Sequence, residues 1–345
     1  MSLIASVGNM SRLHDGPIID DDLYVILVDI SANSLTVLVS LFGMLTNGVN
    51  ILIFLRQGFS EQVTITLLAL AVSDMMALMV NSIPNLVFFI ALKLFGVALF
   101  SDEITYVTTG TLHLAFVRVT GWLTAFITFE RCLCVTLPLH VRSAVTKRRV
   151  TFVVIAIYIF SFSCLAPTYY TTYYNWSYLP HMNSSYLILM DTDHRVVLDH
   201  MSFIIGNVFP AIASFSIVLL STVFLSIGLI SSKTFHKHHT KQLSVATDKF
   251  QRITRKKIKI IKLTSLLALI FIVTFTPTII FTVWIACDPG FSATGFNSNF
   301  FKVAFSFSFL MESLNSSLHV FPYYSMSTNY RTRFKPSFSC FFTNT

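Results

Sequence analysis

Seven stretches of the chain stay apolar over the length that a membrane-crossing helix needs. A helix rises about 1.5 Å per residue, so roughly 20 apolar residues are needed to cross a hydrocarbon core of about 30 Å. Runs of that kind extend from Ile30 to Phe54, Val63 to Leu92, Tyr106 to Val135, Val150 to Pro167, Met201 to Ile230, Ile260 to Ala286 and Phe300 to Tyr324. The third is the weakest by hydropathy, because it carries His113, Arg118, Glu130 and Arg131. The pattern predicts an all-α membrane protein: a seven-transmembrane helix bundle over residues 30–324, an outer segment over 1–29 and an inner tail over 325–345.

Composition agrees with a lipid solvent. Hydrophobic residues make up 54% of the chain and charged residues only 12%, where a soluble domain carries about 25% charged. The formal charge of +8 does not indicate nucleic acid, because the basic residues sit in short blocks between apolar runs. Arg56, then Arg142 and Lys147 to Arg149, then the stretch from Lys233 to Lys262, and finally Arg331, Arg333 and Lys335 all fall on one side. The positive-inside rule makes that side the cytosol and puts the N-terminus outside. The other side holds Asp15, Asp20 to Asp22, Asp102, Glu103, Asp191, Asp193 and Asp288, with few basic residues.

Glycosylation sequons headed by Asn9, Asn175 and Asn183 lie on the outer side, as that orientation requires; Asn315 heads one inside the seventh span, where no modification is expected. Residues 1–29 lack the basic start of a cleaved signal peptide, so the first span is expected to target the chain itself. The cysteines make no extracellular framework, since only Cys287 falls near the outer face.

Polar residues inside the spans carry the functional signal. A charged group near the bilayer centre costs roughly 2.5 to 3.5 kcal/mol on insertion scales, so such groups face the bundle interior. Glu312, Asn315, Ser316 and His319 follow i, i+3, i+4, i+7 spacing and form one stripe on the seventh span. His113, Thr120, Thr124 and Arg131 form a comparable stripe on the third; Asn47 and Asp74 mark the first and second. The plain alternative is that these are hydrogen-bonded rivets worth roughly 0.6 kcal/mol each. Asp74 fits that alternative least, because a lone mid-membrane carboxylate needs a cation, a proton or several donors.

From about Gly43 to Phe334 these residues fall into short motifs whose order resembles rhodopsin-like G-protein-coupled receptors. Gly43 precedes Asn47, Leu70 to Asp74 reads as the family's LAxxD, and Glu130-Arg131-Cys132 stands where the family has DRY. Pro210 lies in the fifth span, and Phe271 with Thr274-Phe275-Thr276-Pro277 replaces CWxP. Asn315-Ser316 and His319-Val320-Phe321-Pro322-Tyr323 replace NPxxY, and Tyr330 to Phe334 resembles the start of a short C-terminal surface helix. The wording around Thr128 to Cys134 is similar to invertebrate, particularly molluscan, chemosensory and peptide-receptor-like members.

The resemblance implies a plasma-membrane receptor in which an extracellular peptide or small molecule shifts the bundle to a state that activates a heterotrimeric G protein. Glu130, Arg131, Phe275, Pro277 and Tyr323 would serve coupling and activation. His113 and Glu312 are pocket candidates, paired with each other or meeting a basic ligand group; a purely structural pair is the alternative. Asp74, Thr120, Asn315, Ser316 and His319 match the positions that hold an allosteric sodium ion in the family. His319 replaces an asparagine there, which leaves that ion in question. No other cofactor is implied.

The departures bound what carries over. Tyr106 stands where most members have a cysteine and residues 168–199 contain none, so the second outer loop must be held by packing or be looser. Lys257 stands where an acidic partner of the third-span arginine is common, which leaves Arg131 to pair locally with Glu130 and implies ligand-independent signalling. Ser313 replaces the retinal-bearing lysine of visual pigments, so no Schiff base can form. Arg118, roughly 140° around the helix from His113, points to a different neighbour.

Leu137-Pro138-Leu139 and the basic stretch Arg252 to Lys259 are expected to meet the G protein, although positive-inside charge accounts equally for the latter. His236 to His239 lacks metal-ligand spacing. Cys340 is a weak palmitoylation signal. The competing function is a seven-helix channel or transporter that uses Asp74 and Glu312; no inverted repeat supports it. No enzyme motif is present.

Overall fold

The computed structural model describes residues 18–59, 61–95, 104, 106–136, 145–179, 184–192, 198, 201–239, 248–288, 290–291, 295–326 and 330–332. The sequons at Asn9 and Asn183, the Leu137-Pro138-Leu139 loop, Cys340 and the end of the Tyr330 to Phe334 motif lie outside the described residues.

Because lipid offers no hydrogen bonds, each apolar run satisfies its backbone internally as helix. Helix α1 is made of Asp21–Val28, a π-helical stretch Asp29–Leu35, and Thr36–Gln57. Then come α2 (Gln62–Phe95), α3 (π-helical Tyr106–Gly110 continuing into Thr111–Thr136) and α4 (Lys147–Ser163, resumed as Ala166–Thr171). The rest are α5 (π-helical Ile204–Val208, then Phe209–His239), α6 (Asp248–Cys287) and α7 (Ser298–Leu318, resumed as Val320–Met326). We call the end bearing Arg56 and Lys147 to Arg149 the basic end.

Six of these helices are long and apolar enough to cross a membrane by length and composition, and α7 is not among them. The weakest span is therefore the seventh rather than the third, because four polar residues follow one another on its stripe and Lys302 adds a charge. Burial compensates: Glu312, Asn315, Ser316 and His319 are all buried. Leu38, Leu45, Phe152, Ile159 and Val273 are exposed instead, as expected of a chain whose solvent is hydrocarbon.

Two local features differ from the expectation. Helix α1 starts at Asp21 rather than Ile30, inside the segment assigned to 1–29. Asp20 is its cap, accepting from the Leu23 amide at 2.8 Å, and Asp21 and Asp22 occupy the first turn, where the helix dipole favours negative charge. The added turns dock on α7: Asn299 donates to Asp21 at 2.8 Å, and Ser31 bonds Ser306 at 2.6 Å. Second, the loop after α4 contains an antiparallel hairpin, β1 (Thr172–Leu179) and β2 (Ser184–Asp191), in register from Thr172 opposite Asp191 to Leu179 opposite Ser184. Its Thr, Tyr and Trp residues favour extended backbone, and hairpin pairing orders a loop that holds no cysteine. Asn175 is exposed on β1.

Helix α3 is the central post, the most buried span, packed by α2, α4, α5 and α6. Toward the basic end Ile53, Phe54, Leu70, Leu123, Leu267, Tyr323 and Tyr330 share one core. A second core joins Phe116, Val218, Phe271 and Phe275.

One close approach sets the seating of α1. A Cβ on Gly43 would lie 2.2 Å from Ser317 Oγ and 2.6 Å from Leu78 Cδ1, while one on Gly48 would meet nothing within 4 Å. The Ser317 hydroxyl donates to the Val39 carbonyl at 3.0 Å across the same contact. Small residues at a membrane interface allow backbones to approach in this way. Overpacking costs about 1 to 3 kcal/mol, so Gly43→Val should lower the thermal-unfolding midpoint of the detergent-solubilised protein. Gly48→Val should leave it near wild type, and equal effects would remove the packing argument.

Candidate functional site

The two predicted polar stripes meet in the bundle interior, where the structure arranges them in layers. Asp74, on α2, is fully buried. Its Oδ1 accepts from Thr120 Oγ1 on α3 at 2.8 Å and from Ser316 Oγ on α7 at 3.0 Å, and its Oδ2 lies 2.7 Å from His319 Nδ1. Three side chains from two helices therefore surround one carboxyl group, and when Asp74 is ionised the proton between it and His319 sits on Nδ1. Neighbouring hydroxyls extend the layer. Thr120 Oγ1 lies 3.3 Å from Ser73 Oγ, which donates to the Phe116 carbonyl at 2.9 Å.

Asn315 shares the layer, but its recorded bond runs elsewhere. Its Oδ1 accepts from Thr274 Oγ1 on α6 at 3.3 Å, and its Nδ2 is buried without a partner. The buried His319 Nε2, Tyr323 hydroxyl and Thr124 hydroxyl also lack partners.

On the hairpin side of this layer His113 meets Glu312. Its Nε2 lies 3.0 Å from Oε2 of Glu312, and its Nδ1 lies 3.1 Å from the Ala77 carbonyl. A carbonyl only accepts, so Nδ1 carries a proton and one further proton is shared between Nε2 and the carboxylate. Phe309 meets the imidazole edge-on at 4.8 Å between centroids.

Glu312 also lines a cavity between α3, α5, α6 and α7 of about 700 Å³ of empty space, counting its open mouth. The walls are mostly apolar, with Leu114, Val117, Phe203, Phe275, Phe305 and Phe309 prominent, and Arg118 is the other charged residue in the lining. Arg118 Nη1 donates to the Ser161 carbonyl of α4 at 2.8 Å, which fixes it toward a different neighbour from His113. His113 supports the cavity from behind Glu312 and is not in its lining.

Below the cavity, Phe271 stacks on Phe275 at 4.2 Å and meets Phe215 of α5 at 6.4 Å. Pro277 lies inside α6 two residues beyond Phe275 and cannot donate to the carbonyl four residues back. Toward the basic end Arg131 Nη2 donates to Glu130 at 2.6 Å. The Lys257 side chain lies outside the described residues. Tyr323 packs against Phe54 at 5.3 Å and Tyr330 at 6.0 Å, and burial pushes the Tyr330 phenol above its ordinary pKa.

Sequence reasoning missed several partners. Asn50 accepts from the Tyr330 hydroxyl at 2.5 Å and donates to Asn47, which in turn donates to the Ser316 carbonyl at 2.8 Å. Asn81 donates to Ser313 at 3.3 Å. Spacing offered one usable signal, since Asn50 stands one turn beyond Asn47. Ser161 contributes only a carbonyl, which no sequence reveals.

Among the described residues, a bundle of seven helices with a buried polar core and an interior cavity is that of a multi-pass membrane protein. Residues 46–319 match the family described as 7 transmembrane receptor (rhodopsin family), and the chain belongs to that family. Membership implies signalling through G proteins, and the family is one of receptors, not enzymes. A search of curated proteins finds no match.

Breaking a buried pair from one side costs about 3 to 5 kcal/mol, whereas removing both partners is far milder. Single His113→Leu and Glu312→Leu variants should each lower the unfolding midpoint more than the double variant does. An additive double variant would show that the two groups do not depend on each other.

Proposed function

We propose that the cavity between α3, α5, α6 and α7 receives an extracellular ligand, a small chemosensory molecule or the tip of a peptide. On this reading the ligand shifts α6 and activates a heterotrimeric G protein. The observation that carries it is the position of Glu312 in a mostly aromatic and aliphatic wall above Phe275, where the other charged residue, Arg118, is turned to the Ser161 carbonyl. Such a lining accepts an apolar body and orients it by a few polar contacts. The apolar walls favour a compact ligand or a buried aromatic side chain over a long polar one.

Residues in the wall also belong to the α6 core. Phe275 lines the cavity and stacks on Phe271, so a ligand that prefers one rotamer or tilt of this pair biases the helix. Pro277 provides the weak point in α6. At the basic end Arg131, paired among the described residues with Glu130, would turn to the G protein. Tyr323 would repack in the same transition. On this reading that end faces the cytosol, which the positive-inside rule favours, and Asn175 faces the outer surface of the plasma membrane.

The test is a second-messenger screen in cells that co-express a promiscuous G protein. An agonist fraction should raise the signal; Arg131→Ala should abolish it at unchanged surface level. Leu114→Trp, which fills the cavity, should raise the half-effective agonist concentration by about tenfold or more, equivalent to roughly 1.4 kcal/mol. Basal signalling above empty cells is expected, because the Arg131 restraint is local. An ion current or substrate flux that ignores Arg131→Ala but disappears with Glu312→Gln would instead support a transporter.

A further inference from the structure

The layer around Asp74 corresponds to the family position for a sodium ion, and the donor set here does not suit one. A hard cation takes oxygen ligands. The carboxylate that would lead its coordination already accepts two hydroxyl protons on Oδ1 and the His319 Nδ1 proton on Oδ2. An asparagine at that position could turn a carbonyl oxygen toward a cation, whereas histidine has no oxygen to offer. With Nδ1–H committed to Asp74, the ring's other nitrogen presents either a lone pair, poorly matched to a hard ion, or a second N–H. That holds in both charge states of the ring.

The rest of the layer points the same way. The Asn315 carbonyl oxygen faces the Thr274 hydroxyl at 3.3 Å, and its unpartnered atom is the amide donor Nδ2. Asp74 and His319 are each 0% exposed, so the imidazole has no solvent into which it can swing. His319 sits between the two segments of α7, with its backbone still in the right-handed helical region at φ −62° and ψ −23°. A ring held there at 2.7 Å from α2 ties the two helices directly.

We propose that this receptor takes no sodium in its mid-membrane layer and that His319 stands in the ion's place as a fixed pin between α2 and α7. The coupling of these helices is then part of the chain and independent of salt composition. Replacing His319 by asparagine returns an oxygen to the layer and opens the carboxylate.

The experiment reads binding and stability, not signalling, so it stands or falls separately from the ligand and G-protein reading. Purified receptor in detergent is unfolded thermally at equal ionic strength in sodium chloride and in choline chloride. The wild-type midpoint should be the same in both salts, while His319→Asn should gain a saturable, sodium-specific rise of roughly 3 °C or more through mass action. A sodium-specific rise in the wild type that Asp74→Asn removes would overturn the proposal. So would an Asn variant that folds yet ignores sodium, because the histidine would then not be what excludes the ion. Should His319→Asn fail to fold, sodium-23 relaxation on the wild type decides alone: broadening abolished by Asp74→Asn overturns the proposal, and its absence supports it.

Discussion

A carboxylate enclosed among helices in a hydrocarbon solvent has to be satisfied by its neighbours, and the bundle is organised around doing so for Asp74. Asp74 is closed off from bulk solvent, and an unpaired ion at that depth is expensive. The three donors come from α3 and α7, so the relative height and rotation of α2, α3 and α7 are tied to one side chain. Displacing any of these helices by the length of a hydrogen bond breaks the arrangement.

The other interior contacts build outward from that ring. Helix α1 joins through Asn47 on the Ser316 carbonyl and through Gly43, whose missing side chain admits Ser317. The His113–Glu312 pair repeats the acid–imidazole pairing between α3 and α7 on the hairpin side. Glu312 and His319 lie seven residues apart on α7, the two-turn spacing that keeps both on one face. A helix less apolar than its neighbours thus becomes the most heavily bonded part of the interior, and its polar stripe explains both its weak hydropathy and its position.

Much of this was legible because periodicity is local. Seven apolar runs, the stripe on α7 and the pairing of Glu130 with Arg131 follow from spacing within one segment. What escaped depends on contacts between segments. The Thr274 bond to Asn315, the Arg118 bond to a backbone carbonyl and the Tyr330 bond to Asn50 require the rotation of two helices at once. The hairpin depends on pairing between two segments, which the β-forming run of Thr, Tyr and Trp permits but does not specify. The early start of α1 follows from Asp20 as a cap, a signal that lies outside the apolar run.

The same accounting indicates where the bundle can move. Helices α2, α3 and α7 share short bonds to ionisable groups, at 2.7 to 3.0 Å. The bond recorded between the side chains of α6 and α7 is longer, 3.3 Å from Thr274 to Asn315, and joins neutral partners. Neutral hydrogen bonds are weaker than those made to an ionised group, and the remaining α6 contacts described here are apolar and aromatic, through Phe271 and Phe275. Apolar surfaces can slide and repack without leaving a charge stranded, which polar ones cannot. A rearrangement that keeps the Asp74 layer intact therefore has its lowest resistance at α6, the helix that carries Pro277 and contributes Phe275 to the cavity wall.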